Sequence, residues 1–130
     1  MLILTIRTDK PEAEAGLYDG DQQLVYYKWP AHRKLAETIH ASINKLLSAQ
    51  ERGLHDIEGI IAFKGPGSFT GLRIGLSVAN TLAYTCDIPI VSAGSDDWIK
   101  LGLARLQDGD NDRVALPEYG APPHITLPRK

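Results

Sequence analysis

Apolar residues along the chain fall into short runs and into helically spaced stripes, and the order of these two patterns outlines most of the structure. Leu2-Ile3-Leu4-Thr5-Ile6 predicts a strand over residues 1–6 buried on both faces, after which Arg7-Thr8-Asp9-Lys10-Pro11-Glu12 breaks the pattern. Residues 13–18 and 23–28 predict two more strands, joined at Asp19-Gly20-Asp21, where the Asp-Gly pair signals a hairpin. Beyond Trp29-Pro30, the apolar positions Leu35, Ala36, Ile39, Ile43, Leu46 and Leu47 recur at helical spacing. They predict a helix from His32 to Gln50, closed by Gly53. A strand over 57–63, a glycine-rich turn, a helix from Ser68 to Tyr84 and a strand over 88–92 follow, which is the passage of a right-handed parallel crossover. Ser95 is expected to cap a third helix running to Gln107, with Trp98, Leu101 and Leu106 on its apolar side. The predicted fold is therefore α/β, a five-stranded mixed sheet with flanking helices.

The turn Lys64-Gly65-Pro66-Gly67-Ser68-Phe69-Thr70-Gly71-Leu72-Arg73-Ile74-Gly75 is the most distinctive stretch. Ser68 or Thr70 can cap the helix that follows, and Gly71, Gly75, Ala79 and Ala83 recur every four residues along one face of it. Glycine costs about 1 kcal/mol in a helix interior relative to alanine, so a ridge this bare calls for close approach by another element. Three readings compete. A phosphate loop is disfavoured, because the Walker spacing is absent, no lysine follows Gly71 and Pro66 has no amide to donate. The ridge packs on the protein's own sheet, or it meets a second polypeptide.

Of 130 residues, 43% are hydrophobic and 23% charged, enough for one domain with its own core. The net charge of -2 argues against a free-standing nucleic-acid binder, which needs a concentrated basic surface. The single cysteine, Cys86, reads as a small core residue, and no signal peptide or long apolar span is evident, so a cytoplasmic setting without membrane contact is expected. His32 and His40 have no matching acidic or cysteine ligands, so no metal site is expected there. Asp108-Gly109-Asp110-Asn111-Asp112 lacks the twelfth-position glutamate of a calcium loop and reads as a solvated linker, and residues 117–130, with four prolines, read as an extended tail.

The motif from Gly65 to Gly75 closely resembles the hallmark of the TsaB (YeaZ) family, and the likeness continues through the helix into Ile88-Pro89-Ile90-Val91-Ser92. The resemblance implies an actin-like (RNase H-like) half-domain over residues 1–107, with 108–130 as linker and Pro-rich tail. It implies a non-catalytic dimerisation subunit that pairs with TsaD, which transfers a threonylcarbamoyl group to N6 of adenosine 37 of tRNA. TsaE with ATP joins that complex, tRNA is met indirectly, and the chain pairs with its own copy when TsaD is absent. ATP and magnesium are expected of the whole complex and no cofactor of this chain alone. Carried onto this sequence, the contact with TsaD would use His32, Leu35, Ile39 and Ile43 of the first helix. From the second it would use Phe69, Gly71, Leu72, Gly75, Leu76, Ala79 and Ala83. Two features depart from the family. Arg7 follows the first strand where related proteins carry an aspartate, which opposes a magnesium site, and the second half-domain is missing, as in a shortened form. A small nucleotide-binding hydrolase or peptidase of the actin-like superfamily is the alternative.

Overall fold

Strands form where β-branched and aliphatic residues can face two ways, and the central strand does so most completely. The computed structural model describes residues 1–67 and 69–118, apart from the side chains of His32 and Phe69. In it β1 (Leu2–Arg7) lies in the middle of a five-stranded sheet, flanked by β2 (Glu12–Asp19) and β3 (Gln22–Pro30) on one side and by β4 (Gly59–Phe63) and β5 (Ile90–Ala93) on the other. β1, β2 and β3 form an antiparallel meander, whereas β4 and β5 add in parallel to β1, each reached through a helical connection. The five-stranded mixed sheet and the parallel strand-helix-strand passage match the sequence-based expectation.

The period of two along the strands divides the interior into two layers. Leu4, Ile6, Leu17, Ile60 and Ile90 point toward α1 (Leu35–Ala49) and α2 (Phe69–Cys86), which cover one face of the sheet. Ile3, Ile61, Phe63 and Val91 point the other way, where α3 (Trp98–Gln107) brings Trp98, Leu103 and Leu106 against them. Phe63 and Trp98 meet edge to face, with ring centroids 5.6 Å apart. The first turn of the helix expected from His32 is a separate 3-10 turn, His32–Lys34. Trp29 fixes the entry to α1, its indole N–H donating to Thr38 Oγ1 at 2.9 Å.

Several local expectations are corrected. β4 starts at Gly59 and not at Ile57, because Leu54–Asp56 form a 3-10 turn. Gly53 does not close α1; Glu51 takes the left-handed conformation with φ 55°. Gly53 instead opens the next turn, donating its N–H to the Asp56 carboxylate at 2.8 Å. Ser95 is not the cap of α3: it has φ 72°, and Asp97 holds the cap position. Ser68 as a cap, and the extended tail from residue 119 onward, lie outside the described residues.

The largest departure is the polar stretch after α3, which binds the sheet edge and is not a solvated linker. Among the described residues no strand lies beyond β5, so its outward N–H groups need other acceptors. Asn111 Oδ1 accepts from Ile90 N–H at 3.2 Å, and Asp112 Oδ2 accepts from Ser92 N–H at 2.9 Å. The Asp112 N–H in turn donates to the Ile90 carbonyl at 2.8 Å. Arg105, from the last turn of α3, clamps this strap with Nη2 2.5 Å from Asp112 Oδ1 and Nε 3.0 Å from Asp110 Oδ2. Further along, Asn80 of α2 exchanges two hydrogen bonds with the Ala115 backbone, and Glu118 N–H donates to the Lys64 carbonyl at 2.6 Å.

Candidate functional site

Two helices on one face of a sheet present two kinds of surface: the sides turned to the sheet and the sides turned away. The small-residue ridge of α2 is turned inward. Gly75 faces Thr8, whose Oγ1 and Cγ2 occupy the space that a Cβ on Gly75 would need. The same Thr8 hydroxyl donates to the Gly71 carbonyl at 2.7 Å, tying the loop after β1 to the first turns of α2. Ala79 and Ala83 continue the contact inside the first core layer, fully or almost fully buried. At Gly75, Ala79 and Ala83 the structure gives the intramolecular reading, because the protein's own β1 end and sheet press against them, whereas Gly71 is half-buried and borders an outward hollow.

That places most of the positions expected to meet a partner inside this chain. Leu35, Ile39 and Ile43 of α1 and Leu72, Leu76, Ala79 and Ala83 of α2 are all buried within this chain, none more than 5% exposed. Gly75 is likewise buried, while Gly71 is half-buried. His32 belongs to the 3-10 turn and Phe69 to the first turn of α2, but their side chains lie outside the described residues.

What the helix pair does present outward is a groove that sequence reasoning missed. It is bounded by Ala36 and His40 of α1 and by Thr70, Arg73, Ile74, Ser77 and Val78 of α2, with a volume of about 490 Å³. A second hollow shares Thr70 and Ile74 with it and continues past Gly71 to Leu35, Arg33, Pro11 and Lys10. Small and β-branched side chains make up much of this outer wall, which lets another helix come close. The available signal was the i, i+4 pairing of Ile74 with Val78, one step around the helix from the glycine ridge.

On the opposite face of the sheet the end of β1 carries a polar cluster. Arg7 lies over the Phe63 ring at 4.0 Å and makes a two-pronged contact with Asp9, Nε to Oδ1 at 2.8 Å and Nη2 to Oδ2 at 3.2 Å. This bond holds the Arg7 guanidinium even more firmly in its charged form. Next to it, Tyr26 O–H donates to the buried Glu14 carboxylate at 2.5 Å, and burial together with that acceptor pushes the phenol's ionisation well above its ordinary value. Both oxygens of Asp9 are committed to a cation, an arrangement that neutralises the carboxylate. Among the described residues no group of three or more His, Cys, Asp or Glu is placed to hold a metal ion. Cys86 Sγ contacts only the Leu54 carbonyl, at 3.9 Å, with no base beside it among the described contacts.

The layout of sheet and helices, and the sequence it carries, match known proteins. The family model described as "TsaD: tRNA N6-adenosine threonylcarbamoyltransferase" matches residues 30–98, which contain α1, the glycine turn, α2 and β5. The chain belongs to the TsaB (YeaZ) and TsaD family. The TsaB protein of Bacillus subtilis, described as a tRNA threonylcarbamoyladenosine biosynthesis protein, is 33% identical over 95 residues, covering 73% of this chain and 42% of that protein. A tRNA N6-adenosine threonylcarbamoyltransferase of Geotalea uraniireducens is 32% identical over 97 residues, covering 75% of this chain and 28% of that protein. Among solved structures, YeaZ from Pseudomonas aeruginosa superposes with a TM-score of 0.68 at 24% identity, over 83% of this chain and 50% of that one. The fold is thus the actin-like (RNase H-like) half-domain of the TsaB and TsaD family, and the chain spans less than half the length of these two curated relatives. No helix among the described residues is long and apolar enough to cross a membrane.

Proposed function

We propose that this chain is a non-catalytic pairing subunit that supports a TsaD-type transferase in making threonylcarbamoyladenosine on tRNA, and that it works in the cytoplasm. The observation that carries this reading is the outward groove between α1 and α2, a helix-pair face on the one segment that the family model matches. The polar clusters at the end of β1, on β2 and β3, and at the edge of β5 are bonded internally: Arg7 to Asp9, Tyr26 to Glu14, Arg105 to Asp112. A nucleophile, a base and an orienting group in mutual reach are what a catalytic role would require. In the proposed assembly the transferase chain supplies the chemistry, TsaE and ATP with magnesium act at the level of the complex, and this chain supplies a rigid surface. Its contact residues are Ala36, His40, Ile74, Ser77 and Val78, which replace the buried positions expected from the motif.

The test is reconstitution. With the TsaD-type transferase from the same organism, TsaE, ATP and the threonylcarbamoyl donor, tRNA modification should depend on adding this chain, and this chain alone should leave tRNA unmodified. Modification at full rate in its absence would overturn the reading, as would turnover of ATP by the isolated chain.

A further inference from the structure

The pairing reading leaves open what distinguishes the right partner from a second copy of this chain, and the charge around the groove bears on that. α2 carries no acidic residue, and Glu37 is the sole acid of α1. No aspartate or glutamate lines either section of the groove, whereas Lys10, Arg33 and Arg73 do. This basic rim belongs to a chain whose net charge is -2. Lys10 and Arg33 are exposed, and among the described residues neither makes an ion pair within the chain.

Resting on that pairing reading, we propose that Lys10 and Arg33 are specificity residues: they select an unlike chain whose docking helices carry aspartate or glutamate at the rim, and disfavour a second copy of this chain. Two copies meeting through the same face about a two-fold axis gather two sets of the basic rim into one interface whose groove walls offer no acid to offset them. An acidic partner helix reverses the sign of every one of those encounters. The apolar part of the wall, Ile74 and Val78, fits a helix better than a phosphate backbone, which makes a protein the occupant. Rim charges of this kind act mainly on the rate of encounter and on its dependence on salt.

The experiment measures association of the full chain with the TsaD-type transferase by stopped flow or surface-based kinetics from about 50 to about 500 mM salt. The association rate should fall about tenfold over that range. The variant with Lys10→Glu and Arg33→Glu should associate about tenfold more slowly at low salt, with a flattened salt dependence and a dissociation rate within about twofold of the parent. The corresponding double alanine variant should lie between them, and unchanged thermal unfolding shows that both fold. A complex whose formation ignores salt and both variants overturns this inference and leaves the pairing reading standing. No complex under any condition overturns the pairing reading and this inference with it. A homodimer that tightens as salt is lowered, or binding of isolated tRNA that Lys10→Glu and Arg33→Glu abolish, also overturns it, by naming a copy of the chain or RNA as the occupant.

Discussion

Thr8 fills the space that a side chain on Gly75 would take, and its hydroxyl donates to the Gly71 carbonyl one turn earlier at 2.7 Å. Two positions remote in sequence thereby fix the height of α2 above the end of β1. Substituting Gly75→Ala should destabilise the protein by about 2 kcal/mol through overpacking, even though alanine favours a helix. In a Thr8→Ala background the same substitution should cost measurably less, because the hydroxyl and methyl that it meets are gone. Urea unfolding of the four proteins in a double-mutant cycle gives the coupling, and a coupling near zero contradicts the contact.

The strap after α3 should show itself in acid. Arg105 beside it, with help from the Ser92 N–H, holds the Asp112 carboxyl below its usual value despite partial burial. A depressed native value means that the stabilisation is complete above the unfolded value of about 3.9 and is lost as pH falls below it through the native one. Asp112→Asn should therefore lower stability by about 1 kcal/mol near neutral pH, a modest figure because Arg105 remains partly in solvent. The gap between variant and parent should close below about pH 4, measured by thermal unfolding across a pH series. A gap that stays constant with pH would show that Asp112 contributes only as a neutral acceptor.

Tyr26 and Glu14 make the corresponding case on the face of the sheet that α3 covers in part. Tyr26→Phe leaves the buried carboxylate without its donor and should cost about 1 to 3 kcal/mol. Because burial raises the native ionisation of the phenol, stability conferred by Tyr26 is present below about pH 10, the unfolded value, and is lost as pH rises beyond it. The parent protein should lose stability in that alkaline range faster than Tyr26→Phe does, and equal slopes would contradict the assignment.

Sequence reading reached the sheet because its strands are apolar runs separated by turn residues, and those are local signals. It reached the glycine ridge too, but spacing says only that Gly71, Gly75, Ala79 and Ala83 share a face. What the face meets depends on Thr8, and no local pattern names that neighbour. The acids from Asp108 to Asp112 were misjudged for a similar reason: a polar run looks solvated unless one sees the open edge of β5, where Asn111 and Asp112 act as acceptors. Arg105, a few residues before Asp110 and Asp112, was the clue within the sequence. The outward groove was hidden because Ala36, counted with the apolar stripe of the first helix, lies exposed on its outer side, and Ser77 and Val78 form no stripe of their own.

In the proposed assembly, pairing uses the outer side of the helix pair and not the glycine ridge. Ser77→Trp, at an exposed groove position, puts bulk outward without touching the core. Sedimentation velocity of the chain mixed with the TsaD-type transferase reads the claim most directly. Ser77→Trp should keep the parent's thermal unfolding and lose the complex. Retention of the complex at parental affinity by a folded Ser77→Trp would contradict the account.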